Sequence, residues 1–169
     1  GEILNCKTME TIFQKPLSIE EIHSLYDASK KHGCSIITYL GNEIISNSQD
    51  EYIDVEVRLT GMPLNKVENF KEKVDFSGVK CIMLQEPSYL KKVEEKMKEE
   101  FLDLSISISK PFFLELTAKG IDKGHTLGFL ANSLGIEQKE VIACGNAEND
   151  LSMIKYAGLG VWVANTDKE

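Results

Sequence analysis

Apolar positions along this chain alternate between helical and strand-like spacing. Ile19, Ile22, Leu25 and Tyr26 fall at the three-to-four spacing of one helix face. Ser18, with Glu21 three places on, gives a capping-box start, and Gly33 a stop. A second helix is predicted from Pro87 to Phe101, with Leu90, Val93, Met97 and Phe101 on one face. Its opposite face, rich in Lys and Glu, reads as solvated surface. Ser35 to Leu40 and Glu43 to Ser46 read as strands joined by a Gly41-Asn42 turn. Val79 to Leu84 reads as a buried strand. Leu104 to Ser109 and Phe112 to Thr117 alternate like strands, with Pro111 at the turn between them. Asn65 to Val74 is expected to form a polar helix. Ile3 to Leu4 and Thr11 to Gln14 read as short strands of a hairpin.

From Lys119 the pattern changes. Gly120 and Gly124 punctuate, then a helix is predicted from His125 to Leu134 and a short apolar strand from Glu140 to Cys144. Gly145 to Asp150 is a polar loop, Leu151 to Ala157 a helix and Gly160 to Val163 a final strand. Strand, loop, helix, strand in this order predicts parallel strands with crossover helices. The expected division lies near residue 118: an α+β unit over 1–118, and part of a doubly wound α/β sheet over 119–169. The sequence holds no internal repeat and no low-complexity segment.

Composition narrows the function classes. The 169 residues are 42% hydrophobic and 27% charged, enough for one domain or two small ones. The net charge of −8 speaks against a general nucleic-acid binder, because phosphate backbones reward Lys and Arg, yet it leaves room for a local phosphate pocket. No apolar run is long enough to cross a bilayer and no secretory signal is visible. Cys6, Cys34, Cys81 and Cys144 form no C-x-x-C pair and read as buried, reduced thiols, so a cytoplasmic protein is expected. His23, His32 and His125 lack zinc-type spacing, and His23 and His32 are expected to be solvated on their helix. The chain opens at Gly1 without Met, and both ends read as cut.

The sharpest chemical signal is Val141 to Asp150, VIACGNAEND. A buried strand ends at a Gly and opens into amides and carboxylates before a helix. Ligands of parallel sheets bind outside the carboxyl ends of strands, where helix N-termini also point. Asp150 and Glu148 are oxygen donors of the kind Mg²⁺ takes. Equally, Asn149 or Asp150 could simply cap the helix. Lys123-Gly124 could offer a compact positive charge to a phosphate, or be a solvated Lys beside a turn glycine. Asn165, in Val163-Ala164-Asn165-Thr166, could touch ligand or serve a turn.

Together these residues resemble one family. The run LELTAKGIDKGHTLGFLANSLGIEQKEVIACGNAENDLSMIKYAGLGVWVAN, Leu114 to Asn165, is similar to the C-terminal half of Cof-like phosphatases of the haloacid dehalogenase superfamily. EILNCK and QKPLSIEEIHSLYDASKKHGCSIITYLGNEII resemble the start of that family's cap domain. The resemblance implies a partial, doubly wound (Rossmannoid) core over 119–169 and an α+β Cof-type cap over 1–118 that selects substrate. It also implies roles. Lys123 would neutralise the phosphoryl group, Asn149 would contact the phosphate and Asn165 would complete substrate binding. Asn146 and Asp150 would serve a Mg²⁺ site.

Two departures from the family pattern matter. The family's nucleophile is an Asp in an N-terminal Asp-x-Asp motif, and no such motif occurs here. The family's metal loop begins Gly-Asp, whereas here it is Gly145-Asn146, an amide without the charge a hard dication prefers. The expectation is therefore a truncated Mg²⁺-dependent phosphatase of small phosphorylated metabolites such as sugar phosphates, itself inactive. The alternative is a degenerate, non-catalytic binder of a phosphorylated ligand or a partner. A sheet lacking its first strands is also expected to self-associate through its exposed edge.

Overall fold

The computed structural model describes residues 2–164, and Asn165 lies outside them. Strands β1 (Glu2–Leu4) and β2 (Thr11–Gln14) form an antiparallel hairpin. Helix α1 (Ile19–Lys31) starts at a complete capping box, Ser18 Oγ accepting from the Glu21 N–H and Glu21 from the Ser18 N–H. Strands β3 (Ser35–Leu40) and β4 (Glu43–Ser46) follow, then α2 (Glu51–Thr60), which no sequence expectation covers. Asp50 caps α2 by accepting from the Tyr52 and Ile53 N–H groups, and Gly61 ends it with a left-handed φ of 70°.

The expected polar helix over Asn65 to Val74 is corrected. Leu64–Lys66 is a strand, β5, because it pairs in parallel with β4, and only Phe70–Lys73 is helical, as α3. Next come β6 (Cys81–Leu84), α4 (Pro87–Glu100), β7 (Leu104–Lys110) and β8 (Phe113–Ala118). The last described elements are α5 (Lys123–Ser133), β9 (Ile142–Gly145), α6 (Leu151–Tyr156) and β10 (Leu159–Trp162).

Two compact units result. Lys15–Lys119 is one, and the described residues of Gly1–Gln14 and Gly120–Glu169 are the other. This corrects the assignment of residues 1–14 to the first unit. The hairpin packs on α5 instead, with the Phe13 and Phe129 rings 4.5 Å apart.

The 15–119 unit is a six-stranded sheet in the order β5-β4-β3-β6-β8-β7, antiparallel except for β4–β5. Helices α1 and α4 pack on its strands. Ile53 of α2 joins Ile37, Ile44, Ile82, Leu84 and Phe113 in a buried cluster, so the central strands are covered on both faces. Burial of that cluster, together with Ile22, Leu25, Ile36, Met83, Leu90 and Leu114, drives the folding of this unit. At its two ends, Lys15 Nζ donates to the Lys119 carbonyl at 2.7 Å.

Several polar expectations change. His32 is buried at the C-cap of α1, with Nε2 3.6 Å from Glu100, and the half-buried His23 ring lies 2.8 Å from the Val74 carbonyl. Neither is a solvated helix-surface side chain. Cys34 and Cys81 are buried, and burial raises their thiol pKa values to about 11 and about 12. Cys6 and Cys144 are exposed, the latter because it faces away from α6 on β9.

Candidate functional site

The site of the smaller unit grows from the carboxyl end of β9. This strand pairs in parallel with β10, and α6 crosses between them. Its last residue, Gly145, has no room for a side chain: a Cβ there would sit 2.3 Å from Asp150 Cβ. The loop after it is closed by Asp150. Asp150 Oδ2 accepts from the Asn146 N–H at 3.0 Å and the Ala147 N–H at 3.2 Å, while the Asp150 N–H donates to the Ala147 carbonyl at 2.8 Å. The Asp150 side chain thus folds the loop on itself and makes no capping hydrogen bond to the helix after it.

The other oxygen of that carboxylate holds the cation. Lys123 Nζ donates to Asp150 Oδ1 at 2.5 Å. Lys123 is the first residue of α5, whose N-cap Asp122 accepts from the His125 N–H at 2.8 Å. Gly124 explains why a Lys-Gly pair is needed. A Cβ at Gly124 would lie 2.5 Å from the Ser152 carbonyl carbon and oxygen, so only glycine lets α5 approach α6 this closely. The Gly124 N–H donates to Ser152 Oγ at 3.0 Å, which fixes the register that brings Lys123 over Asp150.

Burial by itself would raise the Asp150 carboxyl pKa. The Lys123 hydrogen bond, the two backbone N–H donors and the Lys123 charge together outweigh burial and hold it below its ordinary value. Asp150 is therefore an anion at 5% exposure, whereas the Lys123 side chain is half exposed and can offer N–H groups to an incoming oxyanion. Asn149 is half-buried, and its Oδ1 is buried without a hydrogen-bond partner, an unmet acceptor beside the pair. Asn146 contributes its backbone N–H to Asp150, and its side chain is exposed, as is that of Glu148.

Lys123, Asn146, Asn149 and Asp150 are thus gathered by one loop and one helix start. Sequence reasoning missed Ser152 and Asp122. Asp122 carried a signal, a carboxylate three residues before the His125 N–H it caps. Ser152 carried none, because its role depends on the α5–α6 approach. Among the described residues, no three or more His, Cys, Asp or Glu side chains are grouped to hold a metal ion. No described helix is long and apolar enough to cross a membrane.

Comparison with known proteins gives a consistent result. The model of the haloacid dehalogenase-like hydrolases matches residues 1–169. Bacillus subtilis YxeH, itself a phosphatase by inference, is 29% identical over 170 residues, covering 99% of this chain and 63% of its own length. The phosphoglycolate phosphatase of Methanothermobacter thermautotrophicus is 32% identical over 140 residues, covering 76% of this chain and 62% of its own. A haloacid dehalogenase-like hydrolase from Bacteroides thetaiotaomicron superposes with a TM-score of 0.86 at 35% identity, covering 99% of this chain and 64% of that one. A subclass IIB sugar phosphatase shares the fold, with a TM-score of 0.76 at 20% identity, covering 95% of this chain and 60% of its own. The chain spans about 63% of the length of the curated relatives it matches.

Proposed function

The chain belongs to the haloacid dehalogenase-like hydrolase family, in its Cof-like branch, and from that premise we propose that it forms part of a phosphatase of small phosphorylated metabolites such as sugar phosphates. The Lys123–Asp150 pair at the carboxyl end of a parallel strand is the observation that carries this reading. Phosphoryl transfer asks a protein chiefly for positioning and charge neutralisation. Asp150 locks the loop and orients Lys123. Lys123 then neutralises charge on the phosphoryl oxygens. Asn149, with Asn165 outside the described residues, contacts the substrate. The 15–119 unit is the cap that selects it.

The described residues do not make a Mg²⁺ shell by themselves. Both Asp150 oxygens are occupied by N–H and ammonium donors, and Asn146 stands where the family pattern has a carboxylate. Magnesium wants near-octahedral oxygen donors, so Asn146 and Asp150 would need further carboxylates beside them. No catalytic step is routed through the metal here.

The 169 residues contain no Asp-x-Asp motif, so on their own they are expected to be inactive. The purified chain should leave p-nitrophenyl phosphate unhydrolysed with or without Mg²⁺. Hydrolysis above the blank that is lost in Lys123→Met would overturn this. Asn146 favours a second reading, a degenerate protein that binds phosphorylated ligands without turnover. Saturable binding of inorganic phosphate by calorimetry, weakened in Lys123→Met, would distinguish it. Cytoplasmic residence and weak self-association through the exposed core edge belong to the same reading. Light scattering that finds a monomer at every concentration would remove the latter.

A further inference from the structure

A groove opens between α5 and α6 on the side of α5 away from Lys123. His125, Gly128 and Asn132 recur at the three-to-four spacing of one helix face and line it. From the pitch of an α-helix, Lys123 points about 160° away from His125. Room for the groove comes from glycine. At Gly128 a Cβ would lie 3.0 Å from Tyr156 Cε2, so the Tyr156 ring rests against bare backbone. Phe129, its ring 4.5 Å from that of Phe13, forms a second aromatic wall. The groove measures about 520 Å³, within the range of roughly 300–1,000 Å³ of small-molecule sites. Its polar groups are open. The His125 imidazole, the Asn132 amide and the Tyr156 hydroxyl make no hydrogen bond with the described residues. Asp122 Oδ1 accepts from the His125 N–H, which leaves Oδ2 facing solvent.

We propose that this groove is a second ligand site, which takes an uncharged nucleoside. Three features select that chemistry. Phe129 and Tyr156 offer π-faces to a planar heterocycle, and stacking of this kind accepts any base. Asn132 and His125 can each present a donor and an acceptor, which matches the mixed edge of a nucleobase. Asp122 supplies a carboxylate oxygen for a ribose hydroxyl, whereas among the described residues no Lys or Arg lines the groove. A phosphate there would meet an anion and no ammonium or guanidinium. The cation able to take an oxyanion is Lys123, on another side of the same helix. A ligand that bridges α5 and α6 also braces their approach at Gly124 and Ser152, so occupancy stabilises this unit.

The test titrates adenosine into the full chain and follows the amide resonances. Saturable shifts are expected at Gly124, Gly128, Phe129 and Asn132, with a rise in the unfolding midpoint read by Trp162 fluorescence. Tyr156→Leu, which keeps an apolar side chain against Gly128, should weaken adenosine binding by about fivefold or more, the share of one stacked base. His125→Ala and Asn132→Ala, both at exposed positions, should each weaken it by about threefold and leave far-ultraviolet circular dichroism unchanged. The proposal is overturned if adenosine gives no saturable shifts up to its solubility limit, if the shifts fall elsewhere, or if the His125 and Asn132 variants bind as tightly as the wild type. Equal affinity for D-ribose would overturn it in favour of a sugar site. Tighter binding of adenosine 5′-monophosphate in the groove, or the same shifts with inorganic phosphate alone, would overturn it in favour of an anion site. None of these readouts depends on phosphatase activity.

Discussion

Replacing Lys123 by Met removes the ammonium and keeps most of the aliphatic stem. Asp150 would then be a buried carboxylate held only by the two N–H groups on Oδ2. Removing one member of a fully buried pair costs about 3–5 kcal/mol. The half-exposed Lys123 side chain and the two remaining donors reduce that here to roughly 1–2 kcal/mol. For a unit of this size, each kcal/mol lowers the melting temperature by about 4–8 °C. Trp162 is the only tryptophan and lies on β10, so urea unfolding followed by its fluorescence reports on the unit that holds the pair. The pH dependence is the sharper part. Asp150 has a folded pKa below its ordinary 3.8, so its contribution is present above that value and is lost as pH falls through the folded pKa. The gap between wild type and Lys123→Met should therefore be full at pH 7 and close in acid below 3.8. A gap of only a few tenths of a kcal/mol at pH 7 would mean that the pair is idle. A gap that persists undiminished in acid would mean that the Lys123 stem, not its charge, supplies the stability.

Gly145→Ala should destabilise the same unit by about 1–3 kcal/mol through overpacking against Asp150, read by the same unfolding assay; unchanged stability would show that the loop has slack. Ser18→Ala should cost the 15–119 unit about 1 kcal/mol by opening the α1 capping box, seen as loss of amide-exchange protection in α1 while α5 is unaffected. Titrating Mg²⁺ into the chain should give no calorimetric binding isotherm in the low-millimolar range, because both Asp150 oxygens are occupied; a clear isotherm lost in Asp150→Asn would contradict that account.

Much of this was legible in the sequence because local rules and global packing agree. The α1 capping box, the β3–β4 turn and the β9–loop–α6–β10 order all follow from short-range pattern. Helix α2 did not, since Ile53, Val55, Val57 and Leu59 fall at strand-like alternation, and the helix is set by the Asp50 cap and the packing of Ile53. Leu64–Lys66 became a strand because β4 offered it a partner, which no local signal announces. In the site, the Lys-Gly pair and the polar loop stood out as residue types. Their meeting did not, because it depends on how closely α5 and α6 approach at Gly124 and Ser152. The fate of His32 likewise depended on where the C-terminus of α4 came to rest.

The bond from Lys15 to the Lys119 carbonyl has a consequence beyond stability. More than a hundred residues leave and return at nearly one point, so the unit behaves as a cassette. Its strands can be lengthened, traded or wholly replaced without changing the distance its flanking chain must span. Loop closure at such a neck adds only slowly with the length of what is inserted. A lineage carrying this neck is free to exchange one large insert for another while the Lys123 loop stays as it is.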